Sequence, residues 1–280
     1  QSGGLSMADY EALARRLADW SGTIGEFSQT LDREKVPYLS FSKVTCVEFC
    51  GYRYLLEYVK LQRPRPEPDY FVKGQAFHET VASLYRDLTQ GRPADENALL
   101  DVLRRTLPHP TIDVENAVRL AARNAYQGFE VIGVEEPFVL SLDGGLPPCV
   151  GVVDLILRRG KTFFVVDHKT GKKFNGADDL QLVLYREYVR RQYQAVRCLA
   201  FVDEYRWVPN LATIRKPAFQ RTRIPLGRTD WRLATRRLAW AHRRIQEIQK
   251  NQDVWALGEC YMCPYRGTCP KASVGYSSYW

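Results

Sequence analysis

Apolar residues recur at three- and four-residue spacing through most of the first 130 positions, the pattern of helices with one buried face. The spacing predicts a surface helix over Met7 to Trp20, then a loop, then a second helix that opens at Ser40-Phe41-Ser42 and runs to about Leu61. Arg63-Pro64-Arg65-Pro66-Glu67-Pro68 stops that helix, because proline lacks the amide hydrogen a helix needs. Further helices are expected over Gly74 to Leu88, Ala94 to Leu107 and Val114 to Phe129, the last two parted by Pro108-His109-Pro110. From Val131 the chain changes to short runs rich in Val, Ile, Leu and Phe. These predict strands over Glu136 to Leu142, Cys149 to Arg158 and Thr162 to Asp167, with a hairpin-like turn at Arg159-Gly160-Lys161. Helical spacing returns over Ala177 to Tyr193, and Val196 to Tyr205 reads as another strand. Arg206 to Pro225 is expected to be irregular or extended, before an arginine-rich helix from Asp230 to Lys250. The result is an α/β order, helical first and then helix, three strands, helix, strand. No internal repeat or low-complexity segment points to a solenoid.

Composition narrows the class. With 280 residues, 45% hydrophobic and 12% aromatic, the chain can bury a large core. A single domain is expected over residues 7–280: a mainly helical part (7–130), a sheet core (131–205), and an arginine-rich helix with a cysteine-rich loop (206–280). Residues 1–6 are set aside, since Gln1-Ser2-Gly3-Gly4 resembles the remnant of a cleaved expression tag, and Met7 is expected near the natural start. No run approaches the ~20 apolar residues that span a bilayer, and no secretory signal pattern opens the chain. A soluble cytoplasmic protein with no membrane partner is expected. Forty Lys and Arg against 32 Asp and Glu give a net charge of +8 and favour polyanionic partners. The excess is dense from Arg221 to Arg244, where guanidinium groups suit paired contacts to phosphates and equally suit a solvated helix face.

The candidate chemistry begins with a charge in the wrong place. Asp154 stands inside the apolar run Gly151-Val152-Val153-Asp154-Leu155-Ile156, and burying a carboxylate is costly unless something pairs with it. The next strand ends in Asp167-His168-Lys169-Thr170-Gly171. Residues two apart on a strand share a face, so Asp167 and Lys169 point one way and His168 the other. If the strands pair about Gly160, Asp154 lies across from Asp167. Two carboxylates, a backbone carbonyl and water suit a hard cation such as Mg2+ or Mn2+, which polarises a phosphoryl oxygen and lowers the pKa of water. A nearby ammonium orients the attacking water or offsets developing charge. Phosphodiester hydrolysis fits this set, while a plain Asp154–Lys169 salt bridge fits the three residues about as well. His78, on the helix before the sheet, and Gln181 with Tyr185, spaced i to i+4 on the helix after it, extend the series.

The seven cysteines are unevenly placed: Cys46 and Cys50, then Cys149 and Cys198 alone, then Cys260, Cys263 and Cys269. A disulfide framework is not expected in an intracellular chain of this size. The C-x2-C-x5-C run at Cys260, with Cys50 or Cys46 as a fourth thiolate, points to a metal. Cys149 and Cys198 read as small core residues.

Gly74-Gln75-Ala76-Phe77-His78, Gly151 to Asp154, Asp167-His168-Lys169 and Gln181 to Tyr185 together resemble the motif series of the RecB-like branch of PD-(D/E)XK nucleases, over residues from about Ser40 to Cys269. The proline that names the family is replaced by Val153, and the second acid is Asp167 rather than Glu. The resemblance implies a restriction-endonuclease-like core, a small mixed sheet flanked by helices. It implies that His78, Asp154, Asp167 and the main-chain carbonyl of His168 hold Mg2+ or Mn2+. Lys169 would be the catalytic lysine, and Gln181 with Tyr185 would support the site or the DNA strand. Ser40-x-Ser42 followed by Cys50, Tyr52 and Tyr54 resembles the N-terminal cysteine motif of the iron–sulfur members, among them AddB and the CRISPR-associated exonucleases. By that likeness Cys50, Cys260, Cys263 and Cys269 hold a 4Fe-4S cluster. Zinc is the alternative occupant, although only one C-x2-C pair is present, and Cys46 is a reserve ligand. The implied activity is metal-dependent exonuclease action on single-stranded DNA or DNA ends, beside a helicase, recombination or CRISPR partner. A structure-specific endonuclease, a non-catalytic DNA-binding partner and an electron carrier are the competing readings.

Overall fold

A computed structural model describes residues 7–62, 69–176, 178–227, 229–252, 254, 260 and 263–271. The proposed tag remnant and the proline-rich stop at 63–68 lie outside these residues. The first helix, α1, is Met7–Ala18. The expected loop after it contains a helix, α2 (Ile24–Arg33), opened by a reciprocal capping box in which Thr23 accepts from the Glu26 amide and Glu26 accepts from the Thr23 amide. The expected helix from Phe41 to Leu61 is broken. It forms α3 (Phe41–Phe49) and α4 (Gly51–Tyr54), followed by a widened π turn at Leu55–Val59. The break is Cys50, whose extended backbone ends α3 while its thiol accepts from the Arg53 amide that opens α4.

Three helices follow, α5 (Asp69–Thr89), α6 (Glu96–Thr106) and α7 (Ile112–Arg123). Helix α5 begins before Gly74, which sits within it. Strands β1 (Glu130–Leu140), β2 (Cys149–Arg159) and β3 (Thr162–Gly171) come next, then α8 (Asp179–Gln192), β4 (Arg197–Arg206), β5 (Phe219–Ile224) and α9 (Asp230–Asn251). The five strands lie in chain order in one mixed sheet: β2 and β3 antiparallel, β3 and β4 parallel, β4 and β5 antiparallel. The segment expected to be irregular or extended thus supplies an edge strand. Gly160, with φ of +59°, makes the β2–β3 turn, a conformation that costs glycine little.

The chain divides into two compact units. One comprises Gln1–Pro66, Pro137–Gly151 and Arg232–Trp280, and the other Glu67–Glu136 and Val152–Trp231. In the first, Leu13 and Leu17 of α1 meet Phe27 and Leu31 of α2, with Tyr38, Val139 and Val150. In the second, α5, α6 and α7 bury Phe77, Leu84, Tyr85, Leu103, Val114 and Val118 against Leu155, Leu157, Val166 and Tyr205 of the sheet. The other sheet face is buried too, at Ile156, Val165, Ala200 and Val202, and α8 packs against β3 and β4. Both faces of β2 to β4 are therefore covered, which is why those strands read as nearly continuous apolar runs.

Candidate active site

The polar exceptions in those apolar strands converge at one end of the sheet. Register pairs Leu155 with Val166, so Asp154 and Asp167 are the next residues beyond the last pair on the two strands. Alternation then sorts the side chains, as the sequence pattern requires. Asp154, Asp167 and Lys169 lie on the α8 face. His168 turns to the other face, where its ring stacks 6.1 Å from Tyr85 and lies 6.1 Å from Tyr205.

Asp167 is 1% exposed and Asp154 7% exposed, a degree of burial that carboxylates accept only with partners or a cation. The Lys169 ammonium sits 3.0 and 2.9 Å from the two oxygens of Asp167, but only Oδ1 has hydrogen-bond geometry, leaving Oδ2 buried without one. Lys169 also donates to Gln181 Oε1 at 2.8 Å, and Gln181 Nε2 donates to the Tyr185 hydroxyl at 2.7 Å. Tyr185 in turn donates to Asp154 Oδ1 at 3.5 Å. The i to i+4 spacing of Gln181 and Tyr185 on α8 makes this chain from lysine to carboxylate possible. Asp154 Oδ2 accepts from the His168 amide at 2.9 Å and lies 3.5 Å from His78 Nδ1, which α5 brings in.

One member escaped the sequence reading. Glu135 places Oε1 3.9 Å from His78 Nδ1, and ligand atoms of His78, Glu135 and Asp154 all lie within 4.8 Å of one another. Glu135 has φ of +48° inside β1, a left-handed conformation costing a non-glycine residue about 1–2 kcal/mol. Its signal was available, since Glu135-Glu136 interrupts an apolar strand just as Asp154 does. The expected strand began at Glu136 and left Glu135 outside.

Electrostatics follow from this crowding. Burial raises the Asp167 carboxyl to about 6, with Asp154 adding to the effect and Lys169 opposing it. Burial also raises Asp154, against the pull of His78. For His78 burial disfavours the charged ring, yet Asp154, Glu135 and Asp167 prevail and raise its pKa to about 9. Three carboxylates, those of Glu135, Asp154 and Asp167, thus stand beside two cationic groups, His78 and Lys169. Burial drives His168 well below its ordinary value, so its ring is a neutral packing element with neither nitrogen hydrogen-bonded. A divalent cation fits this donor set by its chemistry: the carboxylates of Asp154 and Glu135 and the His78 imidazole have ligand atoms within 4.8 Å of one another, and Asp167 is buried beside Asp154 with one oxygen lacking a hydrogen bond.

A model of the PD-(D/E)XK nuclease superfamily matches residues 38–270. The chain belongs to that superfamily. Among solved structures, this nuclease resembles a "putative exonuclease" from Eubacterium rectale at 13% identity and a TM-score of 0.52, covering 86% of this chain and 89% of that one. It also aligns with the protein SSO0001 at 16% identity and a TM-score of 0.40, covering 91% of this chain and 100% of that one. The first likeness concerns fold alone. No curated protein sequence matches the chain.

Elsewhere in the nuclease, none of the seven cysteines is paired in a disulfide. Cys46 is buried within α3 and Cys50 is buried at the helix break, and burial raises the Cys263 thiol. Cys46 and Cys50 belong to the same compact unit as Cys263 and Cys269, some two hundred residues away in sequence. Cys260 joins the same turn, its carbonyl accepting from the Cys263 amide. Cys149 is buried, as a core residue should be, and Cys198 is half-buried. The arginine-rich stretch divides by role. Arg221 makes a two-pronged ion pair with the fully buried Asp203, and Arg237 does the same with Glu48. Arg232, Arg236 and Arg243 are exposed on α9. Among the described residues no helix is long and apolar enough to cross a membrane.

Proposed function

We propose that the chain is a Mg2+- or Mn2+-dependent deoxyribonuclease, an exonuclease of the RecB-like iron–sulfur branch acting on single-stranded DNA or DNA ends in the cytoplasm. The observation that carries this reading is the convergence of Asp154, Asp167 and Lys169 at one sheet end, with both acids buried. His78, Asp154, Asp167 and the His168 carbonyl would hold the cation, which when bound supplies Lewis-acid activation of the phosphate and a more acidic water.

The chain's own residues do the rest. Asp167 and Gln181 hold the Lys169 ammonium from two sides, so it stays charged and aimed where it orients water or offsets the charge developing on the phosphate. Tyr185 steadies Asp154 through its hydroxyl, and Gln181 ties Tyr185 to the lysine. Hydrolysis on this plan leaves a 5′-phosphate and a 3′-hydroxyl. The net charge of +8 and the exposed arginines of α9 favour a polyanionic substrate. Cys50, Cys260, Cys263 and Cys269 would hold a structural 4Fe-4S cluster, joining α4 to the C-terminal turn within one compact unit. Unwinding would come from a helicase, recombination or CRISPR partner.

Linear and closed circular DNA incubated with each metal test the reading. Degradation of linear DNA alone, abolished by chelation, is expected. Nicking of closed circles would reassign the protein as an endonuclease, and no cleavage of either with Mg2+ or Mn2+ would overturn the nuclease function. Anaerobically purified protein should absorb near ~400 nm, whereas a colourless protein with stoichiometric zinc would replace the cluster by zinc.

A further inference from the structure

We propose that Glu135 is a direct ligand of the divalent cation, an acid supplied by a bend in β1. This rests on the metal-dependent reading of the site and adds a donor from an element that carries none of the other ligands. Three observations support it. First, the separations of His78 Nδ1 from Asp154 Oδ2 and Glu135 Oε1, 3.5 and 3.9 Å, exceed good hydrogen bonds. They are of the order that two ligands of one cation keep when each bond is about 2.0–2.2 Å.

Second, the backbone is spent on placing this side chain. Glu135 is left-handed within a strand, whereas an extended residue would continue the ordinary alternation. Third, the neighbouring glutamate anchors that conformation. Glu136 accepts from the Tyr188 hydroxyl at 2.6 Å and from the Tyr193 hydroxyl at 2.7 and 2.8 Å, which ties β1 to α8 and its C-terminal end. Gly133 allows the fold-back, since a Cβ there would collide with the Glu136 carboxylate. Two consecutive acids therefore take opposite duties: Glu136 holds the strand to tyrosines, and Glu135 faces His78 and Asp154. A packing role explains Glu136, whereas Glu135, with a side chain 30% exposed, has His78 as its ion-pair partner at 3.9 Å.

Manganese binding tests this without cleavage. Free Mn2+ is followed by electron paramagnetic resonance in titrations of the wild type, Glu135→Gln, Glu135→Asp and Asp154→Asn, with circular dichroism melting to verify folding. The expected result is binding by the wild type, weakened about tenfold or more in Glu135→Gln and by less in Glu135→Asp. Unchanged affinity in a folded Glu135→Gln protein, alongside loss in Asp154→Asn, would overturn the Glu135 assignment and leave the metal site intact. Absence of Mn2+ binding by the wild type would overturn the metal-dependent reading itself, and this inference with it.

Discussion

Replacing Gln181 by leucine removes one side chain from the path that joins Lys169 to Tyr185 while keeping a similar volume on α8. The lost contact is a 2.8 Å hydrogen bond from an ammonium, and such charge-assisted bonds contribute about 1.5–3 kcal/mol. Lys169 is 37% exposed and retains Asp167, so water and the remaining carboxylate recover part of that contribution. The lower end applies, and about 1.4 kcal/mol corresponds to a tenfold change in rate. Single-turnover cleavage of an end-labelled oligonucleotide at saturating Mn2+ should slow about tenfold in Gln181→Leu. Mn2+ affinity should change less than about twofold, because Gln181 reaches the acids only through other side chains. An unchanged cleavage rate would refute the positioning role. A matching collapse of Mn2+ affinity would show that Gln181 shapes the metal site rather than the lysine.

Other consequences concern stability and the cysteines. Arg221→Leu strands the fully buried Asp203 carboxylate and should lower stability by about 3–5 kcal/mol in urea unfolding, with an unchanged midpoint contradicting the importance of the pair. Cys263→Ser should abolish visible absorption of the anaerobically purified protein and lower its melting temperature. Retained absorption would remove Cys263 from the ligand set.

The sheet core was readable because burial on both faces forces long apolar runs, in which Asp154 and Asp167 stand out. The two-residue period then sorted Asp167 and Lys169 from His168 correctly. Less was visible where local geometry departs from the repeating pattern. Helix α2 was passed over although Thr23 and Glu26 spell a capping box, because Gly22, Gly25 and Ser28 made the stretch look like a loop. The break at Cys50 leaves the helical spacing of apolar residues almost intact, so two short helices and a π turn looked like one long helix. Glu135 was missed because the expected strand began at Glu136, and its left-handed backbone is something a pattern of alternating side chains does not register. The Asp203–Arg221 pair joins neighbouring strands whose partnership is set by tertiary register, not by any spacing along one segment.

Metal-dependent hydrolysis of DNA at this site is tested most directly by comparing nucleotide release from linear DNA by the wild type and by Lys169→Ala, each with Mn2+ and with chelator. Cleavage by the wild type only in the presence of metal, and none by a folded Lys169→Ala protein that still binds DNA, is the expected result. Undiminished metal-dependent release by Lys169→Ala would contradict the assignment of the site.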